Sequence, residues 1–482
     1  MPPRAKTAAV ALLVAACTDP RGATGPRDGP SAAARAVLSN ASAPSARVVA
    51  VRGNDAGAGT VQDPLATLEE AFRRSAPGDT VLVRGGVYYR RRDLWVAPDA
   101  GGAPGRPTVL RAWPNEHPAL DLSREDPGES AACVVVGGGW VAVIGFECRN
   151  SRNVGFMVYG GHDVQLRDNS VHHTQGTGIA LFPDADGRRP RQVTIAHNVV
   201  RYTNLANRSP RTAEGGWGQG ITALGDTITV DSNTVERNWG EGIGCWQAVG
   251  CTVRGNRVGD NYSVQLYVDN SSRVRLEGNF AYVSGDTAFL SHAPWAPPGG
   301  VLPAGVQLAN ELPLAAPRRL DRVTMVNNIV LGGSSALFVG AYGAGGGLRN
   351  ATIANNTFVG GTAETLHIEN DPGHAAVRVF NNIFARGRGG AAGTLTTRFD
   401  PRAFAFSANL WDGGRPTVRA GAGDVYAAAG LVAPGRLAPS GYRLRADSPA
   451  MDAGVAGGAP AADFWGVARP RGARWDLGAH ER

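Results

Sequence analysis

Short stretches in which apolar and polar residues alternate recur along the chain, and each ends in an asparagine. The pattern apolar-x-apolar-x-x-Asn occurs at Asn233, Asn256 and Asn279, with two successive gaps of 23 residues. The same pattern recurs at Asn169, Asn198, Asn328, Asn356 and Asn382. A short repeat made of β-branched strands, without helical periodicity between them, predicts a solenoid of β-coils.

The repeated asparagine suits the corner of a coil. Asn enters the left-handed backbone region more readily than other non-glycine residues, so it fits a sharp turn between two strands. Stacked side-chain amides can also hydrogen-bond from one coil to the next. The alternative, ordinary Asn turns in a β-sandwich, does not explain so many equivalent positions.

This ladder resembles the right-handed parallel β-helix of the pectate-lyase-like superfamily over about residues 47–482. The segments GDTVLVRGGVY and GAPGRPTVLRAWPNEHPALDLS are similar to the entry coils of polysaccharide lyases of the chondroitinase B and alginate lyase type. The resemblance implies an all-β fold, a right-handed single-stranded parallel β-helix with an N-terminal capping helix. Those lyases use a Lys and Arg pair, whereas Lys6 is the only lysine here. The resemblance therefore supports the architecture rather than that mechanism.

The capping helix is expected near the start of the solenoid. Asp63 followed by Pro64 is a typical helix start, and the helix would end near Pro77. Its apolar face would consist of Leu65, Leu68, Ala71 and Phe72. Such a helix would cover strand edges that otherwise invite aggregation.

The N-terminus has the pattern of an exported protein. Residues 1–17 contain a charged start, an apolar run and Cys17, which is typical of a secretory signal with a lipoprotein-type ending. The run is too short to span a membrane. We therefore expect a bacterial cell-envelope protein anchored only through acylated Cys17, or a secreted protein with a plain cleaved signal peptide. Residues 18–46, rich in Ala, Pro, Gly and Ser, are expected to form a disordered tether.

The rest of the chain is predicted to form one β-helix domain, residues 47–482. It would consist of entry coils and a cap (47–130), regular coils (131–385) and terminal coils with a cap (386–482). The ending resembles the closing segment of exported β-helix proteins. We expect its aspartates to make turn hydrogen bonds, namely Asp452, Asp463 and Asp476.

Charge and cysteine content narrow the possible partners. The chain has 48 basic and 41 acidic residues, and nearly all the basic ones are arginine, which grips carboxylates. This favours an anionic polymer, although coding bias toward Arg explains it as well. Scattered arginines without a recognition helix argue against nucleic acid. We expect a monomer.

Four cysteines remain beyond Cys17, and an exported protein permits disulfides among them. They allow three pairings, of which Cys245 with Cys251 is preferred. The others are Cys133 and Cys148. The cysteine and histidine spacing does not fit a zinc site.

Two long gaps in the ladder locate the expected functional face. The gap from Asn198 to Asn233 is about 12 residues longer than a 23-residue coil, and that from Asn279 to Asn328 about 26 longer. Insertions in a repeat fold often rise from one face and line a binding site. The strand between them, written GIALF, GITAL, GIGCW, QLYVD, AFLSH and TLHIE, is therefore predicted to be a groove floor.

Period-two alternation divides this strand into two faces. The inward set is Ile179, Ile221, Ile243, Leu266, Phe289 and Leu366. The outward set is Thr222, Trp246, Tyr267, Asp269, His292, His367 and Glu369. Because equivalent residues of stacked coils lie about 4.8 Å apart, we expect Trp246, Asp269 and His292 to form a line.

Aromatic and imidazole groups near this floor suit a sugar polymer. Trp246 would offer a platform for a pyranose ring, and Trp217 and Trp239 are further candidate platforms. Packing within turns explains Trp217 and Trp239 equally well. His172 and His173 are candidates to reach the end of the groove, with an ordinary turn position as the alternative.

Two chemistries remain open. A lyase must neutralise a uronate carboxylate, using Arg237 or a calcium ion held by Glu241 and Asp269. It must also remove the adjacent proton, for which His292 or Tyr267 is suited. A hydrolase would instead use Glu241 and Asp269 as an acid pair. Glu241 also has the simpler alternative of pairing with Arg237.

The sequence therefore predicts an exported enzyme that acts on an acidic polysaccharide, with a lyase favoured over a hydrolase. The competing prediction is a non-catalytic glycan-binding or structural surface lipoprotein. Close carboxyl and imidazole groups on the floor strand would favour the enzyme, and their wide separation would favour the binder.

Overall fold

A computed structural model describes residues 45–129, 131–208, 218–286, 289, 303–311, 320–340, 346–361, 364–386, 395–396, 402–416 and 421–482. In this part of the chain, nearly all regular structure is β, in three long parallel sheets. From β2 onward, successive strands belong to sheets A, B and C in turn, so each full coil contributes one strand to each sheet. The predicted right-handed single-stranded parallel β-helix is confirmed. Within the described ranges, no helix is long and apolar enough to cross a membrane.

Each sheet extends along the whole solenoid. Sheet A consists of β1 (Ala46–Val49), β2 (Thr80–Val83), β5 (Thr108–Ala112), β8 (Gly139–Ile144), β11 (His162–Arg167), β14 (Arg191–Ala196), β17 (Asp226–Asp231), β20 (Val249–Arg254), β23 (Ser272–Glu277), β26 (Asp321–Val326), β29 (Thr352–Ala354), β32 (Val377–Phe380) and β35 (Phe404–Ser407). Sheet B consists of β3 (Gly86–Tyr89), β6 (Pro118–Asp121), β9 (Glu147–Arg149), β12 (Ser170–His172), β15 (Val199–Arg201), β18 (Thr234–Glu236), β21 (Arg257–Gly259), β24 (Phe280–Tyr282), β27 (Ile329–Leu331), β30 (Thr357–Val359), β33 (Ile383–Ala385) and β36 (Leu410–Trp411). Sheet C consists of β4 (Leu94–Val96), β7 (Val134–Val136), β10 (Phe156–Tyr159), β13 (Ile179–Phe182), β16 (Gln219–Ala223), β19 (Glu241–Trp246), β22 (Leu266–Asp269), β25 (Val306–Ala309), β28 (Ser335–Val339), β31 (Glu364–Ile368) and β34 (Leu395–Thr396).

A spine of buried asparagines joins the coils between sheets A and B. The side-chain oxygen of Asn256 accepts from the backbone N–H of Asn233 at 2.8 Å and from its amide nitrogen at 3.0 Å. That amide also donates to the carbonyl oxygen of Ile195. The predicted coil-to-coil bonding is confirmed, and Asn409 extends the spine by one member.

The left-handed corner lies one residue earlier than predicted. Asp168, Ser232 and Asn327 have φ of 55°, 55° and 56°, and each directly precedes a spine asparagine. Bending the chain at the preceding residue leaves the asparagine free to point inward. The spine residue is therefore selected for its buried amide and not for its backbone conformation.

A second polar spine lies at the corner between sheets B and C. The side-chain oxygen of Asn238 accepts from the backbone and hydroxyl of Thr203, and that of Asn261 accepts from the backbone and amide of Asn238. Gln265 takes the next position and accepts from Asn261 at 2.9 Å. Because its members are of different types, this spine has no repeated sequence signature.

The N-terminal end carries a short helix, α1 (Leu68–Arg73). Its N-cap is Thr67, whose hydroxyl accepts from the N–H of Glu70 at 3.2 Å, so the predicted start at Asp63 is wrong. The helix also ends before the predicted boundary near Pro77. Its apolar face is buried against the first strands of sheet A, which confirms the expected capping position.

Two disulfides lie within the solenoid. Cys245 pairs with Cys251, as preferred from the sequence, and this bond links adjoining strands of sheets C and A. Cys133 pairs with Cys148. Both bonds join residues within one coil, so they fix its shape.

The end of the chain does more than close the solenoid. Regular coils continue to bridges at Ala422 and Val425, but residues 429–482 then run back along the outside of sheet B. This C-terminal strap buries Tyr442 and Leu477 against strands β24 to β36. The sequence predicted terminal coils and a cap, but it did not predict that the C-terminal strap packs against the side of the solenoid. Asp463 accepts the predicted turn hydrogen bonds, from the backbone N–H groups of Trp465 and Val467. Asp452 and Asp476 instead accept from backbone groups more than 20 residues away in the chain.

Candidate functional site

The outer face of β16, β19, β22, β25, β28 and β31 forms the floor of the expected groove, here called the sheet C groove. The long connection from β15 to β16 and that from β24 to β25 both enter this floor from sheet B. The coil after β22 uses Val306–Ala309 as its floor strand, and not the predicted AFLSH. Phe289 lies outside that strand, against Trp239 at 4.5 Å between ring centroids.

The predicted line of Trp246, Asp269 and His292 is wrong at its third member. Trp246 and Asp269 are paired in register, but the next position in the same row is Ala309. The error arose because the extra chain in this coil precedes the floor strand as well as following it. His292 lies outside the described residues.

Alternation along the remaining floor strands is as predicted. The inward residues are buried in the core, namely Ile179, Ile221, Ile243, Leu266 and Leu366. On the outer face, one residue from each coil forms a continuous row, here called the central row. Its members are Thr222, Gly244, Tyr267, Gln307, Phe338 and His367.

Tyr267 lies at the most enclosed point of this row, with 4% of its surface exposed. Its pKa is well above the usual value because of burial first, and then because the carboxylates of Asp269, Glu311 and Glu241 are near. Within the described structure, its hydroxyl has no hydrogen bond of good geometry, although Glu311 is close enough to act on it. Tyr267 therefore keeps its proton, and the predicted role of proton acceptor does not fit it.

Glu241 lies at the start of its floor strand and is 4% exposed. Its carboxylate accepts from the side-chain amide of Gln219 at 2.8 Å. Arg237 instead donates to Asp286 at 3.0 Å, and a hydrogen bond with Tyr202 raises its pKa. The structure thus directs Arg237 away from the groove, and the predicted pairing of Arg237 with Glu241 is not supported.

Asp269 is also buried and stabilises the turn that follows β22. One oxygen accepts from the amide of Asn270 at 2.7 Å and from the backbone N–H of Glu311 at 3.1 Å. Asp269 aligns with Trp246, so Glu241 is five positions away from it in register. Both carboxylates lie near enough to Tyr267 to raise its pKa. No group of three or more His, Cys, Asp or Glu is placed to hold a metal ion in the described part of the chain.

The candidate sugar platforms differ in accessibility. Trp246 is half-buried at the groove, with the ring of Phe182 at 6.5 Å in an edge-on arrangement. Trp239 is only 6% exposed and packs with Tyr262 and Phe289, so the turn-packing alternative applies and the platform prediction is wrong. Trp217 lies outside the described residues.

The predicted role of His172 and His173 at the groove end is also wrong. His172 belongs to sheet B, where Nε2 is 3.2 Å from a carboxylate oxygen of Glu147 and Nδ1 is 2.7 Å from Nδ1 of His173. His173 occupies the left-handed corner with φ of 56° and lies beside Tyr202. Both histidines therefore belong to the outer face of sheet B.

A histidine and carboxylate pair on the floor was not recognised as a unit in the sequence. Nδ1 of His367 is in hydrogen-bonding contact with Glu364, three residues earlier in β31. The His367 ring stacks on Phe338, with centroids 4.8 Å apart and planes 7° from parallel. The pair was hidden because period-two alternation places residues three positions apart on opposite faces of a strand. The position of Glu364 is equivalent to that of Glu241.

The charge of this face differs from that of the chain. The strands of sheet C contain no arginine or lysine, although the chain carries 48 basic and 41 acidic residues. The basic residues are distributed over the other sheets and the turns. The overall basic balance therefore says little about what the floor binds.

Comparison with known proteins agrees with this architecture. A family model described as "Pel9A-like, right handed beta helix region" matches residues 47–274, and one described as "Right handed beta helix region" matches residues 207–400. The chain is 30% identical to pectate lyase L of Paenibacillus polymyxa over 171 residues, which is 36% of this chain and 37% of that protein. It is 26% identical over 247 residues to pectate lyase PEL9 of Emericella nidulans, covering 48% and 56% of the two. The chain thus spans less than two thirds of either relative.

Solved structures show the same fold along most of the chain. Pectate lyase Pel9A superposes with a TM-score of 0.57 and 17% identity, covering 92% of this chain and 98% of the other. XylC, determined with xylose, gives 0.52 and 12%, covering 79% and 85%. The three-sheet solenoid, its asparagine spine and these matches identify the chain as a right-handed parallel β-helix protein of the pectate-lyase-like superfamily.

Proposed function

We propose that the protein is an exported polysaccharide lyase that binds an acidic polysaccharide along the sheet C groove. The observation that carries this proposal is the central row, in which Tyr267, Gln307, Phe338 and His367 follow one another on successive coils. Successive coils lie about 4.8 Å apart, so the row repeats on the length scale of a sugar chain. The matched relatives named pectate lyases support the same class of substrate.

The proximity of carboxyl and imidazole groups supports an enzyme over a passive binder. Glu364 and His367 are in contact on the floor. Buried carboxylates at Glu241 and Asp269 lie further along the same face. A surface that only held a glycan would not require this concentration of acidic and proton-transferring groups.

An acidic polymer on this floor also needs its own charge neutralised. Glu241, Asp269 and Glu311 offer carboxylate oxygens, the donors that calcium prefers. If calcium is required, these residues would hold it, and it would supply positive charge to neutralise the carboxylate of the substrate.

A second candidate is a hydrolase acting on a neutral glycan. The feature that favours it is the floor itself, whose strands carry carboxylates but no arginine or lysine. Glu241 and Asp269 would then serve as the acid and base. Such an enzyme would need neither a uronate nor calcium.

Export is part of the proposal. Residues 1–17 have the composition of a lipoprotein signal, and Cys17 would carry the lipid, although this segment lies outside the described residues. The two disulfides support an oxidising compartment, since cytosolic thiols are kept reduced. The mature protein would work as a monomer at the envelope or outside the cell.

The test is to incubate the protein without residues 1–17 with a panel of acidic and neutral polysaccharides, with calcium and with chelator. Ultraviolet absorbance of unsaturated uronates and new reducing ends are followed together. Absorbance that rises only with acidic polymers supports the lyase, and its loss with chelator supports the calcium requirement. Reducing ends without absorbance favour the hydrolase. Retardation by a polymer in affinity electrophoresis, without cleavage, overturns the enzyme in favour of a binder.

A further inference from the structure

We propose that His367, oriented by Glu364, is the group that accepts the proton from the sugar in the sheet C groove. This inference rests on the proposed lyase function and assigns one step of it. It replaces the sequence-based choice of His292 or Tyr267 for that step.

The position of His367 satisfies the first requirement, which is access to a bound polymer. His367 continues the central row after Tyr267, Gln307 and Phe338, so it lies on the floor itself. Its side chain is 26% exposed, whereas that of Glu364 is only 8% exposed. The imidazole thus reaches the groove while its partner stays beneath it.

The contact with Glu364 fixes which ring nitrogen is available. A carboxylate accepts the proton of Nδ1, so the lone pair of the neutral imidazole lies on Nε2. Stacking on Phe338 holds the plane of the ring. This arrangement of a carboxylate, an imidazole and a fixed ring is that of an oriented general base.

The other groups around His367 do not compete with Glu364 for it. Phe338, on the preceding coil, is apolar, and Thr396, paired with it on the following coil, carries no charge. Glu369 lies two residues further along, next to the end of the same strand. In the described strands β28, β31 and β34, no basic residue is paired with His367, so Glu364 remains the partner of its Nδ1.

Two other candidate proton acceptors do not fit, and a third, His292, lies outside the described residues. Tyr267 keeps its proton because burial and nearby carboxylates hold its pKa well above the usual value. Lys6 lies in the segment that export would remove. The strands of sheet C contain no arginine, and His367 is their only histidine.

The chemical step balances without a further reactant. The C5–H bond of the uronate breaks, its proton moves to Nε2 of His367, and its electron pair forms the C4–C5 double bond. The C4–O bond breaks with its electrons on the leaving oxygen, which takes a proton from water. Protonated His367 then returns its proton to solvent. Glu364 stabilises the imidazolium by accepting from Nδ1 throughout.

The row also predicts where the polymer lies. Three coil steps separate His367 from Tyr267, which is about 14 Å at 4.8 Å per coil. A sugar cleaved over His367 would therefore leave the next few sugars over Gln307 and Tyr267. The buried carboxylates would act as binding groups for this part of the chain.

The experiment compares two histidine and carboxylate pairs in one protein. His162 on sheet A is 32% exposed, and its Nδ1 lies 2.8 Å from Asp163, so it matches His367 in environment but not in location. We expect His367→Gln to lower kcat by about 100-fold or more with little change in KM, since general bases contribute on this scale. His162→Gln should leave both constants unchanged. Activity of His367→Gln within about threefold of the unmodified protein would overturn the proposal.

Glu364→Gln distinguishes an orienting carboxylate from a merely structural one. It should lower kcat by about 10-fold and move the acid limb of the pH–kcat profile to lower pH, because the imidazolium loses its anionic partner. A stability loss with an unmoved pH profile would contradict the orienting role.

A measurement on the unmodified protein keeps the proposal testable if a variant fails to fold. Diethyl pyrocarbonate should modify His367 more slowly when cleaved polysaccharide product is bound, whereas the rate at His162 should not change. Equal protection of both, or of neither, would overturn the placement of His367 in the groove. If the unmodified protein cleaves no polysaccharide, the proposed function falls as well. If it cleaves and His367→Gln cleaves equally, only this inference falls.

Discussion

The outer faces of sheets B and C differ in the charged residues that they carry. On sheet B, opposite charges meet in one network centred on Glu236. Its carboxylate accepts from Arg201 at 2.8 Å, from Arg257 at 2.6 Å and from the hydroxyl of Tyr282 at 2.7 Å. Further back along the same face, Arg149 bridges Asp121 and Glu147. These charges cancel within the fold.

On sheet C the charges have one sign. The floor strands carry acidic residues and a histidine but no arginine or lysine. Glu241 contacts the neutral amide of Gln219, and Glu364 contacts His367. Buried titratable groups of this kind are costly to the fold and are found often at ligand-binding sites. The contrast is therefore one of composition: the described strands of sheet B pair their charged residues with each other, whereas those of sheet C supply only acidic groups and one histidine.

The largest effect should come from Glu241→Gln, which removes a buried carboxylate from the sheet C groove. If it serves the substrate, kcat/KM should fall about 100-fold or more, because a preorganised charge in an enclosed site has effects of this size. The melting temperature should change little, because Gln has the same size and keeps an acceptor oxygen for the amide of Gln219. Glu277→Gln on sheet A, where Arg275 pairs with Glu277, is the matched control for activity. Full activity of Glu241→Gln would contradict the proposal that the substrate binds to sheet C.

The next effect concerns stability. Glu236→Gln on sheet B leaves Arg201 and Arg257 without their shared carboxylate, and its own side chain is 11% exposed. We expect a loss of about 2 kcal/mol in the free energy of unfolding, less than for a fully buried pair because both arginines are partly exposed. Urea unfolding measures it. Activity per folded molecule should not change, and a drop in activity at full stability would contradict the structural role assigned to sheet B.

A smaller effect should appear as pH dependence in the strap that covers part of sheet B. Burial lowers the pKa of His480 to about 4, from an ordinary value of 6.5. Between these values the unfolded chain binds a proton that the folded chain does not, so this contribution to stability is complete above pH 6.5 and is lost as pH falls toward 4. We expect about 2 kcal/mol over this window, after allowance for partial exposure.

His480→Asn tests this contribution. Asn keeps an acceptor for the backbone N–H of Leu444, which Nδ1 of His480 now accepts at 3.1 Å. The difference in unfolding free energy between the two proteins should therefore shrink or change sign on acidification. A difference that does not vary with pH would show that His480 titrates normally.

The smallest expected effect is on binding. Trp246→Ala should weaken retention by the polysaccharide about 10-fold, the scale of one aromatic contact. Trp113→Ala, which removes a ring beneath Arg84 at 4.8 Å, serves as the control for losing an indole elsewhere. Equal loss in both variants would remove the distinction between the groove and the rest of the surface.

The fold could be predicted from the sequence because asparagine recurs at the same corner of successive coils, where the same backbone groups need a hydrogen-bond partner. Each spine asparagine satisfies backbone groups of its neighbours, and no other side chain offers the same donor and acceptor pair at that length. The demand is local and repeated, so the pattern is visible without knowledge of tertiary contacts. The second spine makes the same kind of contact with Thr203, Asn238, Asn261 and Gln265, and its mixed composition leaves no pattern.

The candidate site could be predicted only in part, because the register between distant coils depends on where insertions occur within a coil. Trp246 and Asp269 belong to coils of standard length, and their alignment was predicted correctly. His292 was placed by extending that spacing into a coil whose strand begins at Val306. The Glu364 and His367 pair joins residues three positions apart, which strict alternation would place on opposite faces of the strand.

The C-terminal strap changes how the molecule is expected to unfold. A bare solenoid resembles a stack in which each layer touches only its neighbours, so that it can fray from either end. Here Leu437 accepts from Arg257, 180 residues earlier, and Ala462 accepts from Asn327, 135 residues earlier. These ties bind distant layers to one another, so that part of the stack should melt as a unit. During synthesis, the middle coils can therefore form these contacts only after the strap has been made.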